Sequence, residues 1–180
     1  MSEDVELMGR VQTGDEAALA ALMERWELPV KGLLLRFVHN TREADDLAQE
    51  TFVRLWEQRA KYRGEAAFRP WIFAIAVNLA RNRLRWWRRR PEVSLEAWSG
   101  QGDTPTGRET TEAHERAAAV RTAVAALSPD LREAIVLFEY EGLGHAEIAL
   151  ATGGTAKAVE ARLYRAREKL RRSLARWSAA

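Results

Sequence analysis

The chain has 180 residues, 47% hydrophobic and 30% charged, a balance that excludes wholesale disorder and suits one medium domain or two small ones. It holds no cysteine and starts with the acidic MSEDVELMGR. Disulfides, thiolate metal sites and a signal peptide are therefore excluded, no run approaches a membrane span, and the expected setting is cytoplasmic with no membrane insertion. The net charge of +2 conceals a segregation: −5 over residues 1–60, +7 over 61–92, −3 over 93–116 and +3 over 117–180. This suits two surfaces for a polyanion and an acidic surface for another partner.

A helical period of 3.6 dominates and no alternating strand is present, so the expected fold is all-α. From Asp15 to Trp26 the residues Ala18, Leu19, Leu22, Met23 and Trp26 mark one helix face, and Pro29 is expected to interrupt or kink that helix. Leu33, Leu34, Phe37 and Val38 mark a second stretch. Thr41 is the expected cap of the next helix, whose apolar positions Ala44, Leu47, Ala48, Phe52, Leu55 and Trp56 recur at steps of three and four. Asp46, Gln49, Glu50 and Glu57 fall on its other side. A connection over Lys61 to Arg69 leads to Pro70, the expected first residue of a fourth helix. That helix begins with the apolar WIFAIAVNLA and continues with the cationic RNRLRWWRRR before Pro91.

The stretch from Pro91 to Glu115 is rich in Gly, Pro, Ser, Thr and acids without an apolar period, which predicts a flexible linker. The expected organisation is a first domain over residues 1–91, a linker over 92–112 and a second domain over 113–180. Helix signals resume near Ala113 and run to Leu127. Ser128 and Pro129 then predict the cap and first residue of a helix ending near Tyr140. The turn EGLG, a short helix from His145, the turn TGGT with Thr155 as cap and a long helix from Ala156 complete the chain. Short helix, glycine turn and longer helix outline a helix-turn-helix.

Three stretches are candidates for function. In the last helix Val159, Leu163, Ala166, Leu170 and Leu174 form the inward stripe, leaving Lys157, Glu160, Ala161, Arg162, Tyr164 and Arg165 for DNA. A plain solvated helix end, with cations favoured by the macrodipole, is the alternative. The second candidate combines Tyr62, Arg63, Phe68, Arg69 and Trp71 with Asn78, Arg81, Arg85, Trp86, Trp87 and Arg88. Interleaved rings and guanidinium groups suit unstacked single-stranded bases, although Phe68 and Trp71 beside an apolar run also suit a core. The third is the acidic DDLAQETFVRLWEQ helix. Asp45, Asp46 and Glu50 admit a metal-dependent nuclease reading, a partner-binding face or simple support of the helix dipole. No His, Cys or Lys completes a catalytic set, and His39, His114 and His145 are scattered singly. No catalytic residue, metal site or cofactor is expected.

Two of these blocks resemble a known family. DDLAQETFVRLWEQRAKYRGEAAFRPWIFAIAVNLARNRLR resembles region 2, and ALSPDLREAIVLFEYEGLGHAEIALATGGTAKAVEARLYRAREKLRRSL resembles region 4, of extracytoplasmic-function sigma factors. GDEAALAAL is similar to the family's opening helix. The resemblance implies a region 2 helical bundle and a region 4 helix-turn-helix joined by a linker, in a subunit that directs core RNA polymerase to promoter DNA and has no active site. It places the polymerase contact on Asp46, Gln49, Glu50 and Val53. The minus-ten element, melted and captured as single strand, falls to Tyr62, Arg63, Phe68, Asn78 and Arg81, with Arg85, Trp86, Trp87 and Arg88. Duplex at minus thirty-five falls to Lys157, Glu160, Ala161, Arg162, Tyr164 and Arg165. An anti-sigma factor is a further partner of the family.

Two departures stand out. Glu160 and Ala161 occupy positions where many relatives carry a basic residue and a serine, so base preferences do not transfer. Gly144 replaces the more usual Ser-type cap before AEIA, and glycine is the weaker cap. A stand-alone regulator built on the helix-turn-helix is the main rival, and it leaves the Tyr62 to Arg88 cluster without a role. The acidic first block is further expected to hold the free protein off DNA by repulsion.

Overall fold

The structure is a computed structural model that describes residues 2–64, 67–90 and 111–177. Among these residues every regular element is helical. The helices are α1 (Glu3–Gln12), α2 (Glu16–Val38), α3 (Thr41–Gln58), α4 (Phe68–Arg89), α5 (Thr111–Ala125), α6 (Pro129–Ile135), α7 (His145–Thr152) and α8 (Ala156–Ser173). Residues 91–110, which carry most of the expected linker and its Pro91, lie outside the described residues. The chain divides into two compact units, one built on α1 to α4 and the other on α5, α6, α8 and most of α7.

In the first unit α2 packs on α1, α3 and α4, and Met8, Leu22, Leu33, Leu34, Leu47, Leu55, Ile72 and Phe73 are fully buried among them. Pro29 does not end α2, which runs through it. The proline is exposed, so the carbonyl it deprives of a donor faces water, while Leu22, Val30, Leu33 and Leu34 hold the helix to the core on the other side. The turn into α3 passes through His39 in the left-handed region at φ 53°. The cap of α3 is Asn40, whose Oδ1 accepts from the Glu43 amide at 2.9 Å, and the expected cap Thr41 is the first helical residue. Helix α4 opens at Phe68, two residues before Pro70.

Helix α1 has no counterpart in the sequence reading. Its acids Glu3 and Asp4 both pair with Arg25 of α2, and Met8 and Val11 are completely buried. At its end the Gln12 amide donates to the carbonyls of Arg59 (3.1 Å) and Tyr62 (2.8 Å), fixing the 3-10 turn Arg59–Lys61 that follows α3.

In the second unit α6 packs on α8, with Leu131, Ile135, Leu137, Ile148, Val159, Leu163 and Ala166 buried. Ser128 stands at the N-cap position of α6, but its side chain makes no cap bond. Its hydroxyl instead favours the ionised form of the Asp130 carboxylate. Past Ile135 the helix widens into a π-turn, Val136–Tyr140, where the Glu141 amide reaches back to the Val136 carbonyl at 3.3 Å. Gly144 precedes α7, and its amide donates to the Glu147 carboxylate at 2.8 Å, the half of a capping box that needs no side chain at the cap. Gly153 and Gly154, at φ 76° and 127°, make the turn into α8. Thr155 caps α8 as expected, accepting from the Ala158 amide at 3.2 Å.

Candidate nucleic-acid interface

On α3 the alternation of buried Ala44, Leu47, Ala48, Thr51, Phe52 and Leu55 turns the opposite side outward. Asp46, Gln49 and Val53 are exposed, Val53 to 56%. Glu50 is half-buried and pairs with Arg54 at 3.4 Å, and Arg54 also holds Glu57 at 3.0 Å. Asp45 pairs with Lys31 of α2 at 2.5 Å. Asp45, Glu50 and Glu57 are thus engaged by cations, the last two by the same Arg54. Among the described residues no three His, Cys, Asp or Glu side chains gather as metal ligands.

Helix α4 carries a cationic side and a core side. Asn78, Arg85 and Arg88 are exposed and Arg81 is half-exposed, all on one face by spacing. Arg81 donates to the Asn78 side-chain oxygen at 3.4 Å, and Arg85 to that of Asn82 at 2.7 Å. Arg63, in the preceding loop, is exposed as well. The aromatic residues of the cluster separate. Tyr62 and Phe68 are 3% and 2% exposed, and they build an edge-to-face group with Trp71, Trp26 and Phe73 whose centroids lie 5.1 to 6.2 Å apart. Burial, followed by the charge of Asp4, pushes the Tyr62 phenol above its ordinary value. Tyr62 and Phe68 are therefore occupied in the core and show no free face to a base, while Trp71 is half-buried.

Trp87 is also buried, whereas Trp86 is 39% exposed. Trp86 lies in a groove between α3 and α4 that is lined by Leu47, Glu50, Arg54, Leu79, Asn82 and Arg83. Arg90 sits over its ring at 5.0 Å, and Arg83 closes the groove floor by pairing with Glu43. Its neighbours are therefore those of the α3 face. Spacing separates it from Arg85 by about 100° around α4. Adjacent tryptophans carry no such distinction in sequence. Only the phase of α4, set by Ile72, Phe73, Ala76 and Ala80 in the core, reveals it.

In the second unit Lys157, Glu160, Ala161, Tyr164 and Arg165 are exposed on α8, Tyr164 to 69%. Arg162 is half-buried and turned towards α6, where its charge adds to the Ser128 hydroxyl in holding Asp130 below the ordinary carboxylate value. Arg167 is bound to Glu139 at 2.9 Å and lies over Phe138 at 4.9 Å, so the π-turn binds this arginine into the fold. Arg171 and Arg172 both reach Glu168.

Residues 22–90 match sigma-70 region 2, and residues 117–170 match sigma-70 region 4. The chain is 36% identical to the RNA polymerase sigma-H factor of Pseudomonas aeruginosa, with 96% of this chain and 94% of that protein covered. It is 34% identical to the ECF RNA polymerase sigma-E factor of Haemophilus influenzae, with 93% of each covered. The chain belongs to the extracytoplasmic-function sigma factors. Sigma factors of this class direct promoter-specific transcription initiation, and the all-helical fold with region 2 and region 4 blocks is that of the family. The solved structure of CnrH, in complex with the cytosolic domain of CnrY, is 26% identical and superimposes with a TM-score of 0.72, over 96% of this chain and 97% of CnrH. No described helix of this sigma factor is long and apolar enough to cross a membrane.

Proposed function

We propose that this sigma factor docks on core RNA polymerase through the outward face of α3, holds the melted minus-ten strand along the cationic face of α4 and reads minus-thirty-five duplex with α8. Asp46, Gln49, Glu50 and Val53 are the polymerase contact, and the groove position of Trp86 adds that ring to the same side. Arg63, Asn78, Arg81, Arg85 and Arg88 meet the opened strand, while buried Tyr62, Phe68 and Trp87 support the backbone that presents them. Lys157, Glu160, Ala161, Tyr164 and Arg165 face the duplex, and Arg162 stands at the edge of that surface.

The observation that carries this reading is the pair of cationic helix faces, on α4 and α8, lying in separate units that match regions 2 and 4. Arginine faces of this kind neutralise phosphates, and the start of a recognition helix reaches base edges in the major groove. The chemistry belongs to polymerase in this reading; the chain itself is no enzyme, needs no cofactor and works in the cytoplasm. An anti-sigma protein completes its set of partners, as the CnrY domain accompanies CnrH in that solved complex.

Run-off transcription with purified core enzyme, with start sites mapped across genomic DNA, tests the function. Starts that share one minus-ten and one minus-thirty-five sequence are expected. Starts without a shared sequence oppose the reading.

A further inference from the structure

Helix α8 has two acids, Glu160 and Glu168, among seven basic residues: Lys157, Arg162, Arg165, Arg167, Lys169, Arg171 and Arg172. Glu168 binds both Arg171 and Arg172. Glu160 is exposed and, among the described residues, makes no ion pair or hydrogen bond. It lies beyond the first turn, where the helix dipole no longer rewards an acid. The partner nearest by spacing, Lys157, precedes it, which is the weaker orientation for a helical pair. Neither packing nor helix stability therefore explains this carboxylate.

Its surroundings say more. Val159, Leu163 and Ala166 are buried on the inner side, so the exposed face centres on Lys157, Ala161 and Tyr164, with Glu160 and Arg165 exposed on its two flanks. A carboxylate carried on that face into a polyanion is repelled unless it accepts a hydrogen bond there. In the major groove only the amino groups of cytosine and adenine donate. Adenine sets its N7 acceptor beside the amino group and repels a carboxylate; cytosine's own edge has no such acceptor.

We propose that Glu160 reads one cytosine of the minus-thirty-five duplex by accepting a hydrogen bond from its N4 amino group. The inference rests on the reading of α8 as the duplex-binding helix. It turns an acidic residue on a basic surface into a determinant of sequence: Glu160 costs affinity on most duplexes and recovers it on those with cytosine at one position.

The test is a selection from promoter duplexes randomised through the minus-thirty-five element, using the full chain bound to core polymerase. The native protein should enrich cytosine at one position, by roughly tenfold over the other bases. Glu160→Ala should abolish the preference at that position alone. Glu160→Gln should move it towards adenine, whose N6 and N7 match a carboxamide. Lys157→Ala and Arg165→Ala should lower binding across all sequences and leave the base preferences unchanged. If Glu160→Ala raises affinity uniformly and leaves every preference in place, Glu160 acts through charge alone and the proposal fails. If Lys157→Ala, Tyr164→Ala and Arg165→Ala all leave duplex binding unaltered, α8 is not the reading helix, and the underlying assignment fails with it.

Discussion

Trp86 and Trp87 are consecutive in α4 and serve opposite sides of it: Trp87 is 7% exposed within the core, while Trp86 is 39% exposed in the groove facing Glu50 and Arg54. Trp87→Ala should cost about 3–5 kcal/mol of stability, as expected for an aromatic core truncation. Trp86→Ala removes a stacked arginine contact and part of a groove wall, so its stability cost should be about 1 kcal/mol or less. Urea melts of the two variants measure the difference. If Trp86 serves the polymerase side, its variant should bind core enzyme more weakly while region 4 binds duplex normally.

Gln12 fastens α1 to the carbonyls that follow α3. Gln12→Ala leaves both carbonyls without this donor, and a loss of about 1–3 kcal/mol is expected from two partly exposed hydrogen bonds. Amide hydrogen exchange should show the added opening at Lys61 to Gly64 ahead of the rest of the unit. An unchanged exchange pattern would mean that the 3-10 turn holds itself.

Asp130 is held below the ordinary carboxylate value of 3.8, first by the Ser128 hydroxyl and then by backbone amides and the charge of Arg162, against the opposing effect of burial. Its folded form binds its proton less readily than the unfolded chain does. The stabilisation is therefore complete above the ordinary carboxylate value and is lost as pH falls through the lowered one. Ser128→Ala should raise the Asp130 value and flatten the acid side of the stability profile. Carboxyl chemical shifts followed against pH measure it directly.

The exposed face of α3 offers a separate test. Asp46→Ala, Gln49→Ala and Val53→Ser alter side chains outside the core, so each should leave stability within about 0.5 kcal/mol. Together they should weaken core polymerase binding by tenfold or more, about 1.4 kcal/mol. Loss of stability in place of binding would assign the face to the fold.

The helices that were legible in sequence are those with a sustained apolar period and little competition, α3 and α8. There, burial of Leu47, Phe52 and Leu55, and of Val159, Leu163 and Ala166, follows the predicted stripes. The outward positions of both candidate faces came with them, except Glu50 and Arg162, which are half-buried. The acidic start of α1 obscures its short apolar period, Val5, Met8 and Val11, spaced three apart behind Ser2. Pro29 is ambiguous in sequence because its cost depends on whether the bereft carbonyl meets water, which only the packing of α2 decides. Thr41 and Asn40 are both good caps, and the left-handed turn at His39 selects Asn40. The π-turn that carries Glu139, the partner of Arg167, has no local signature. Tyr62 and Phe68 needed the positions of Trp26 and Phe73, contributed by α2 and α4, before their place in the core was evident.

The most direct measurement is the affinity of the purified chain for RNA polymerase core enzyme stripped of its own specificity subunit, with no inhibitor present. The account predicts a stoichiometric complex that binds promoter DNA tightly where the free chain binds it weakly, and whose formation is impaired by changes at Asp46, Gln49 and Val53. A chain that ignores core enzyme and grips promoter duplex unaided would contradict it.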